Sequence, residues 1–355
     1  MVKNANICAI LERNVTHAGV APAAAAGYVG ASVAKAVGAA GWLPGGTPAD
    51  TDTIFDLASV SKPVVACTLL RLSTRGSVDL QAPLGSLLPE ARGSGSERLP
   101  VELFLAHRAG LDAHRALFAP LFEGRAVRRD EALRTAARAR RPECDGLAPP
   151  AGFAPTYSDL GYILIGAVIE AVTAEPLDVV VEREVSLPLG LELGSTRQLR
   201  RRRASFERDV APTEIVRARG GALRGVVHDE NAWALSGHGC SGHAGLFGTV
   251  HDVLGFGLAL LDALAGRSKW LSAEALAALV RPRPGGTLRA GFDGKSQGAS
   301  SAGALSGPET FGHLGFTGTS LWCDPGAGAA SVLLTNRVHP TRDNPKIRAA
   351  RPLVH

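Results

Sequence analysis

The chain has 355 residues, 45% of them hydrophobic and 20% charged, a composition that supports a large buried core and excludes a disordered or collagen-like chain. A net charge of +5 gathers in arginine runs (Arg128-Arg129, Arg138-Ala139-Arg140-Arg141, Arg200 to Arg203). With no zinc-finger spacing or aromatic RNA-binding pattern beside them, these read as solvated faces and not as a nucleic-acid surface. Five scattered cysteines without a Cys-x-x-Cys pair speak against a disulfide framework, and the chain shows neither a secretory signal nor a membrane span, so a cytoplasmic protein is expected.

In chain order, residues 4–16 suit a helix. Ala23 to Trp42 holds small and β-branched residues broken by Gly27, Gly30 and Gly38, which predicts a pair of strands. Pro44-Gly45-Gly46 turns the chain toward a short extended approach, Thr53 to Leu57. From Ser59 an apolar stripe (Val64, Val65, Thr68, Leu69, Leu72) predicts a helix that Gly76 and Asp79 end. Residues 80–235 carry short helical patterns between prolines, among them Pro100 to Ala106, Arg129 to Arg138 and Leu160 to Val172. Thr249-Val250-His251-Asp252 reads as a capping box opening an apolar helix through Leu264, and Ser272-Ala273-Glu274 opens another. Gly294 to Pro308 is a loop. His313 to Trp322 and Ala330 to Asn336 read as two strands joined at Asp324-Pro325-Gly326. Strands at both ends around a helical middle predict an α/β body whose sheet pairs N- and C-terminal strands. Its expected parts are residues 1–79 with 236–355 for the sheet domain and 80–235 for the inserted helical lobe.

A serine with a lysine three residues later carries chemistry only when both share a helical face. The pattern occurs twice, as Ser32-Val33-Ala34-Lys35 and Ser59-Val60-Ser61-Lys62. The first falls in an expected strand, where odd spacing sends the two side chains to opposite faces. The second stands at a helix start, where free N–H groups favour developing negative charge. A desolvated Lys62 could there accept the Ser59 proton. The motif alone fits equally an N-cap serine beside an exposed lysine.

Tyr157-Ser158-Asp159 lies at a loop-to-helix junction, where the tyrosine either packs or relays a proton. The glycines of His313-Leu314-Gly315-Phe316-Thr317-Gly318 allow a ligand close to the backbone. His228, Asp229, His238, Cys240 and His243 cluster in sequence, yet their glycine-rich setting suggests a substrate-side loop and not a zinc site. His107 reads as a structural histidine.

Taken in order, Ser59-x-x-Lys62, Tyr157-x-Asp159 and His313-x-Gly315 resemble the three-motif signature of the serine β-lactamase and penicillin-binding superfamily. The nearest likeness is to its class C-like branch of esterases and D-amino peptidases. Phe55-Asp56-Leu57-Ala58, His107 to Leu111, Val227 to Ala232, Gly242 to Phe247 and Gly318 to Trp322 agree with it. The resemblance implies a β-lactamase-like α/β fold with an antiparallel sheet flanked by helices. It also implies an acylated Ser59, Lys62 as its proton partner, and Tyr157 as general base. The oxyanion hole would be the N–H groups of Ser59 and Phe316, with Gly315 and Thr317 on the substrate side and no cofactor or metal. Asp159 stands where the family often has asparagine, and as a carboxylate it would hold Lys62 as ammonium and leave base work to Tyr157. His313-Leu314 stands in place of a Lys-Thr pair that helps hold a β-lactam carboxylate, which favours a small ester, amide or peptide over efficient β-lactam hydrolysis. If His313 assists, a group titrating near neutrality is expected in the pH–rate profile. The alternative function is a non-catalytic relative that keeps the fold as a binding or assembly module.

Overall fold

The structure, a computed structural model, describes residues 4–30 and 33–355. The strands that position the site are β1 (Ala23–Gly30), β2 (Val33–Leu43), β3 (Thr47–Pro48), β4 (Phe55–Asp56), β5 (Phe247–Gly248), β6 (Asp293–Gly294), β7 (Phe311–Leu314), β8 (Ser320–Asp324) and β9 (Ala329–Thr335). Among the described residues, β3-β2-β1-β9-β8-β7-β6 form a seven-stranded antiparallel sheet. The first and last long strands pair directly, Ala24 opposite Thr335 and Gly27 opposite Val332, so the sheet does close with both ends of the chain.

The alternation of side chains along β1 divides its residues between two cores. Ala23 and Ala25 join the main apolar cluster with Val250, Leu254 and Leu321. Ala24 and Ala26 join a second cluster with Leu11, Val15, Ile347 and Ala350. Small residues let helices approach closely: a Cβ at Gly27 would stand 3.1 Å from the side chains of both Val250 and Leu254. The helix that supplies them, Val250–Leu264, starts at the expected capping box of Thr249 with Asp252, and Ser272 caps the Ala273–Val280 helix. Short helices fill the middle of the chain, and the main cluster runs on through Leu84, Phe104, Leu133, Ile165 and Val181.

Two expected elements differ. The helix after the short strand β4 begins at Ser61 and ends at Thr74, and Ser59 lies just before it in a 3₁₀ turn, Ala58–Val60. The stretch His313 to Trp322 is not one strand: it is the end of β7, a turn over residues 315–319, and β8 running back beside it. Gly318 at φ +100° makes the reversal, since side-chain-bearing residues rarely adopt that conformation. Of the first Ser-x-x-Lys pair, Ser32 lies outside the described residues and Lys35 is exposed on β2.

Five arginines of the basic runs meet acidic partners. Arg128 meets Glu131, Arg129 meets Glu170, Arg200 meets Glu207, Arg202 meets Glu182 and Arg203 meets Glu192. All five cysteines are free, and no helix among the described residues is long and apolar enough to cross a membrane.

Candidate active site

Ser59 stands at the end of an approach that the backbone would not adopt unaided. Ala58 takes φ +47°, which costs a non-glycine residue about 1–2 kcal/mol. Buried Asp56 compensates: its Oδ1 accepts the Ala58 N–H at 2.8 Å and its Oδ2 accepts the His228 N–H at 2.8 Å. The turn is thereby held with the Ser59 side chain on the wall of a cleft of about 780 Å³.

Lys62, one helical turn on, is fully buried. Its Nζ donates to Ser59 Oγ at 2.9 Å, to Asp159 Oδ1 at 2.7 Å and to the His243 carbonyl at 3.3 Å. Burial favours the neutral amine, but the charge of Asp159 and the proximity of Tyr157 outweigh it, and the Lys62 pKa is raised. Burial likewise opposes ionisation of Asp159, yet Lys62 and His243 hold its carboxyl below the ordinary value. The pair is therefore an ammonium and a carboxylate.

Tyr157 covers this pair, with Lys62 Nζ 4.7 Å from its ring centroid. Burial raises the phenol pKa, Lys62 opposes that rise, and Asp159 reinforces it. The loop carrying Tyr157 is fixed by His107, whose Nδ1 accepts the Ser158 N–H at 3.0 Å and whose carbonyl accepts the Thr156 N–H at 3.1 Å. The rings of His107 and Tyr157 lie 4.8 Å apart.

His313 also stands beside Tyr157, ring centroids 5.8 Å apart. Its Nδ1 is 2.8 Å from the Leu314 carbonyl; a carbonyl can only accept, so Nδ1 carries the proton and Nε2 is the free acceptor. Burial, and then the charge of Lys62, lower its pKa to about 3. These two causes favour the neutral imidazole, in contrast to the titration near neutrality expected from its ordinary value.

The turn after β7 is bolted to the approach to Ser59. Thr317 Oγ1 donates to the Asp56 carbonyl at 2.7 Å and Thr319 Oγ1 to the Leu57 carbonyl at 2.9 Å. Gly315 and Phe316 line the cleft together with Ser59. Thr317, expected on the substrate side, is instead buried with its hydroxyl turned to the chain before the serine. A Cβ on Gly315 would stand 2.0 Å from Thr319 Oγ1 and 2.6 Å from the Leu57 carbonyl oxygen, which explains glycine there. Among the described residues neither the Ser59 nor the Phe316 N–H has a backbone acceptor.

Ser59, Lys62, Tyr157, Asp159, His313, Gly315 and Phe316 thus come together. His228, Asp229 and His243, expected on a substrate-side loop, stand beside the site: His228 and Asp229 line the cleft, and the His243 carbonyl accepts from Lys62. His243 Nε2 lies 2.7 Å from Asp229 Oδ1, and the same oxygen accepts the Ala232 N–H at 2.8 Å. Burial opposes the Asp229 charge, but His243 and the cap bond hold its pKa well below the ordinary value. His228 turns away to Glu214 at 3.0 Å and stacks on Phe316, so these histidines diverge and do not converge on one point. The far wall is arginine-rich: Arg337, Arg342, Arg348 and Arg351. Sequence reasoning missed these four; the last two share one face of the Ile347–Val354 helix through their i,i+3 spacing, in a segment for which no helix was expected.

The beta-lactamase family model matches residues 9–355. A Salmonella agona (strain SL483) protein assigned by name to the D-alanyl-D-alanine carboxypeptidases is 30% identical over 321 residues, covering 84% of this chain and 73% of that protein. The solved structure of EstCE1, a hydrolase with promiscuous acyltransferase activity, superposes with a TM-score of 0.70 at 22% identity, over 98% of this chain and 97% of the other. A D-stereospecific amidohydrolase from Streptomyces sp. superposes at 0.67 with 21% identity, over 98% of each chain. With these two structures the likeness is one of fold.

Proposed function

The chain belongs to the beta-lactamase family, and from that premise we propose that it is a serine hydrolase that cleaves a small ester, amide or peptide through an acyl-enzyme on Ser59. One observation carries the reading: Ser59 Oγ, at a cleft wall, accepts from buried Lys62 at 2.9 Å, with Tyr157 against both. Catalysis by such a group requires the nucleophile in hydrogen-bond reach of its proton partners.

In the proposed reaction Ser59 Oγ attacks the substrate carbonyl and the new C–O bond forms. The Ser59 proton passes to the Tyr157–Lys62 pair, the oxyanion rests on the Ser59 and Phe316 N–H groups, and the bond to the leaving group breaks as that group takes the proton. Water then repeats the sequence and frees Ser59. Because the resting pair is ammonium and phenol, the base form grows with pH, and turnover rises into the alkaline range. A neutral His313 offers no charge to a substrate carboxylate, which favours plain esters and amides; a carboxylated substrate would have to reach the arginine wall instead.

Intact-protein mass spectrometry after incubation with a fluorophosphonate, a β-lactam and a p-nitrophenyl ester tests this, with Ser59→Ala as control. An adduct that Ser59→Ala abolishes on folded protein is expected. No adduct from any probe would sink the hydrolase and leave the non-catalytic relative.

A further inference from the structure

The Phe316 N–H belongs to the same planar peptide unit as the Gly315 carbonyl. That carbonyl does not face water. Arg351, from the Ile347–Val354 helix, donates from Nη2 to the Gly315 oxygen at 2.7 Å and to the Thr319 oxygen at 3.0 Å. The Gly318 N–H also donates to the Gly315 oxygen at 3.1 Å, and the Gly315 N–H closes the turn on Thr319 at 2.8 Å. On the next peptide, Arg337 Nε donates to the Phe316 carbonyl at 2.8 Å. One buried guanidinium thus ties both ends of the turn that presents Phe316.

We propose that Arg351 is a positioning residue for the oxyanion donor: by binding the Gly315 carbonyl it fixes the peptide plane that aims the Phe316 N–H, and it strengthens that N–H as a donor. The inference rests on the acyl-enzyme reading of Ser59 and adds a group no motif pointed to. The physical basis is twofold. A hydrogen bond from a charged donor is short and strong, and hydrogen bonds in series polarise one another, by roughly 10–30% per bond. Pulling electron density toward the Gly315 oxygen leaves the Phe316 N–H more positive, as a developing oxyanion requires. The arrangement tolerates the cost of a buried cation, since burial and the neighbouring Arg337 lower the Arg351 pKa only to about 10. Among the described residues the Arg351 Nε has no partner, and its hydrogen bonds run from Nη2 to the two turn carbonyls.

The test compares p-nitrophenyl acetate with its thiono analogue, because sulfur accepts hydrogen bonds weakly and gains little from the donor. In Arg351→Met the oxoester rate should fall by about 10–100-fold, mainly in kcat. The thionoester rate should change far less, so the oxo-to-thiono ratio drops by at least about tenfold. General damage to the fold would lower both rates alike, and an unchanged ratio in Arg351→Met overturns the proposal. Arg351→Lys, which keeps the charge but has no planar fork, should give an intermediate ratio; if Arg351→Met does not fold, an unchanged ratio in Arg351→Lys overturns it instead. A Ser59-dependent adduct with an unmoved ratio rejects Arg351 alone. No adduct on the unmodified protein rejects both the acyl-enzyme and this inference.

Discussion

Three side chains share two mobile protons at the centre of the cleft, and the distribution follows from what each touches. Lys62 would lose its proton to burial if it stood alone; Asp159 at 2.7 Å reverses that. Tyr157 is pushed up by burial and further by the Asp159 charge. Replacing Asp159 by asparagine removes the negative charge that raises both. The signs agree: the folded pKa values of Lys62 and Tyr157 fall, so the base form appears at lower pH. Asp159→Asn should therefore move the rising limb of kcat/KM for ester hydrolysis toward neutrality, whatever happens to its height. An unmoved midpoint would remove Asp159 from the proton inventory.

At the scale of one element, the turn between β7 and β8 matters more than either strand. Two threonine hydroxyls fasten it to the backbone just before Ser59, so the distance between the two proposed oxyanion donors is set by these bonds. Thr317→Val keeps the shape but leaves the Asp56 carbonyl without this donor, a loss of about 1–3 kcal/mol for a buried group. A lower urea midpoint and slower Ser59 labelling are expected together; unchanged labelling would show that the turn is held by other contacts. Gly315→Ala should be harsher, since its Cβ would meet the Leu57 carbonyl oxygen at 2.6 Å and backbone cannot give way as a side chain can.

For the whole molecule, two buried histidines and a half-buried one link stability to pH. His107, His313 and His355 are all lowered, by burial first, from 6.5 to about 3. His355 sits between Ser320 Oγ at 2.7 Å and Ser331 Oγ at 2.8 Å, joining the last helix to β8 and β9. Between these two pKa values the unfolded chain binds protons that the folded protein refuses. Their contribution is present above 6.5 and drains as pH falls toward 3, by at most about 1.4 kcal/mol per pH unit for each histidine. Tm should decline as the solution is acidified through this window, and His355→Gln should flatten the decline whatever it does to the Tm at neutral pH. Equal slopes would exclude His355 from the linkage.

The sequence by itself determined what depends on neighbours within a few positions. Ser59 and Lys62 share a helical face because their spacing is close to one turn, Thr249 with Asp252 announces a helix start, and the small residues of β1 announce a strand. Strand pairing between the two ends was legible because alternating and glycine-punctuated segments stand only there. Only the tertiary structure decided the electrostatics. Asp159 lies 97 residues from Lys62 and Arg351 lies 36 from Gly315, so no local pattern reports either contact. The neutral His313 shows the same limit: an imidazole titrates near neutrality in water, and what displaces it here is burial beside the Lys62 ammonium. Even the β7–β8 turn, with its glycines in plain view, was read as continuous strand, because residue types suggest a bend but only the pairing partner across the sheet shows where the chain reverses.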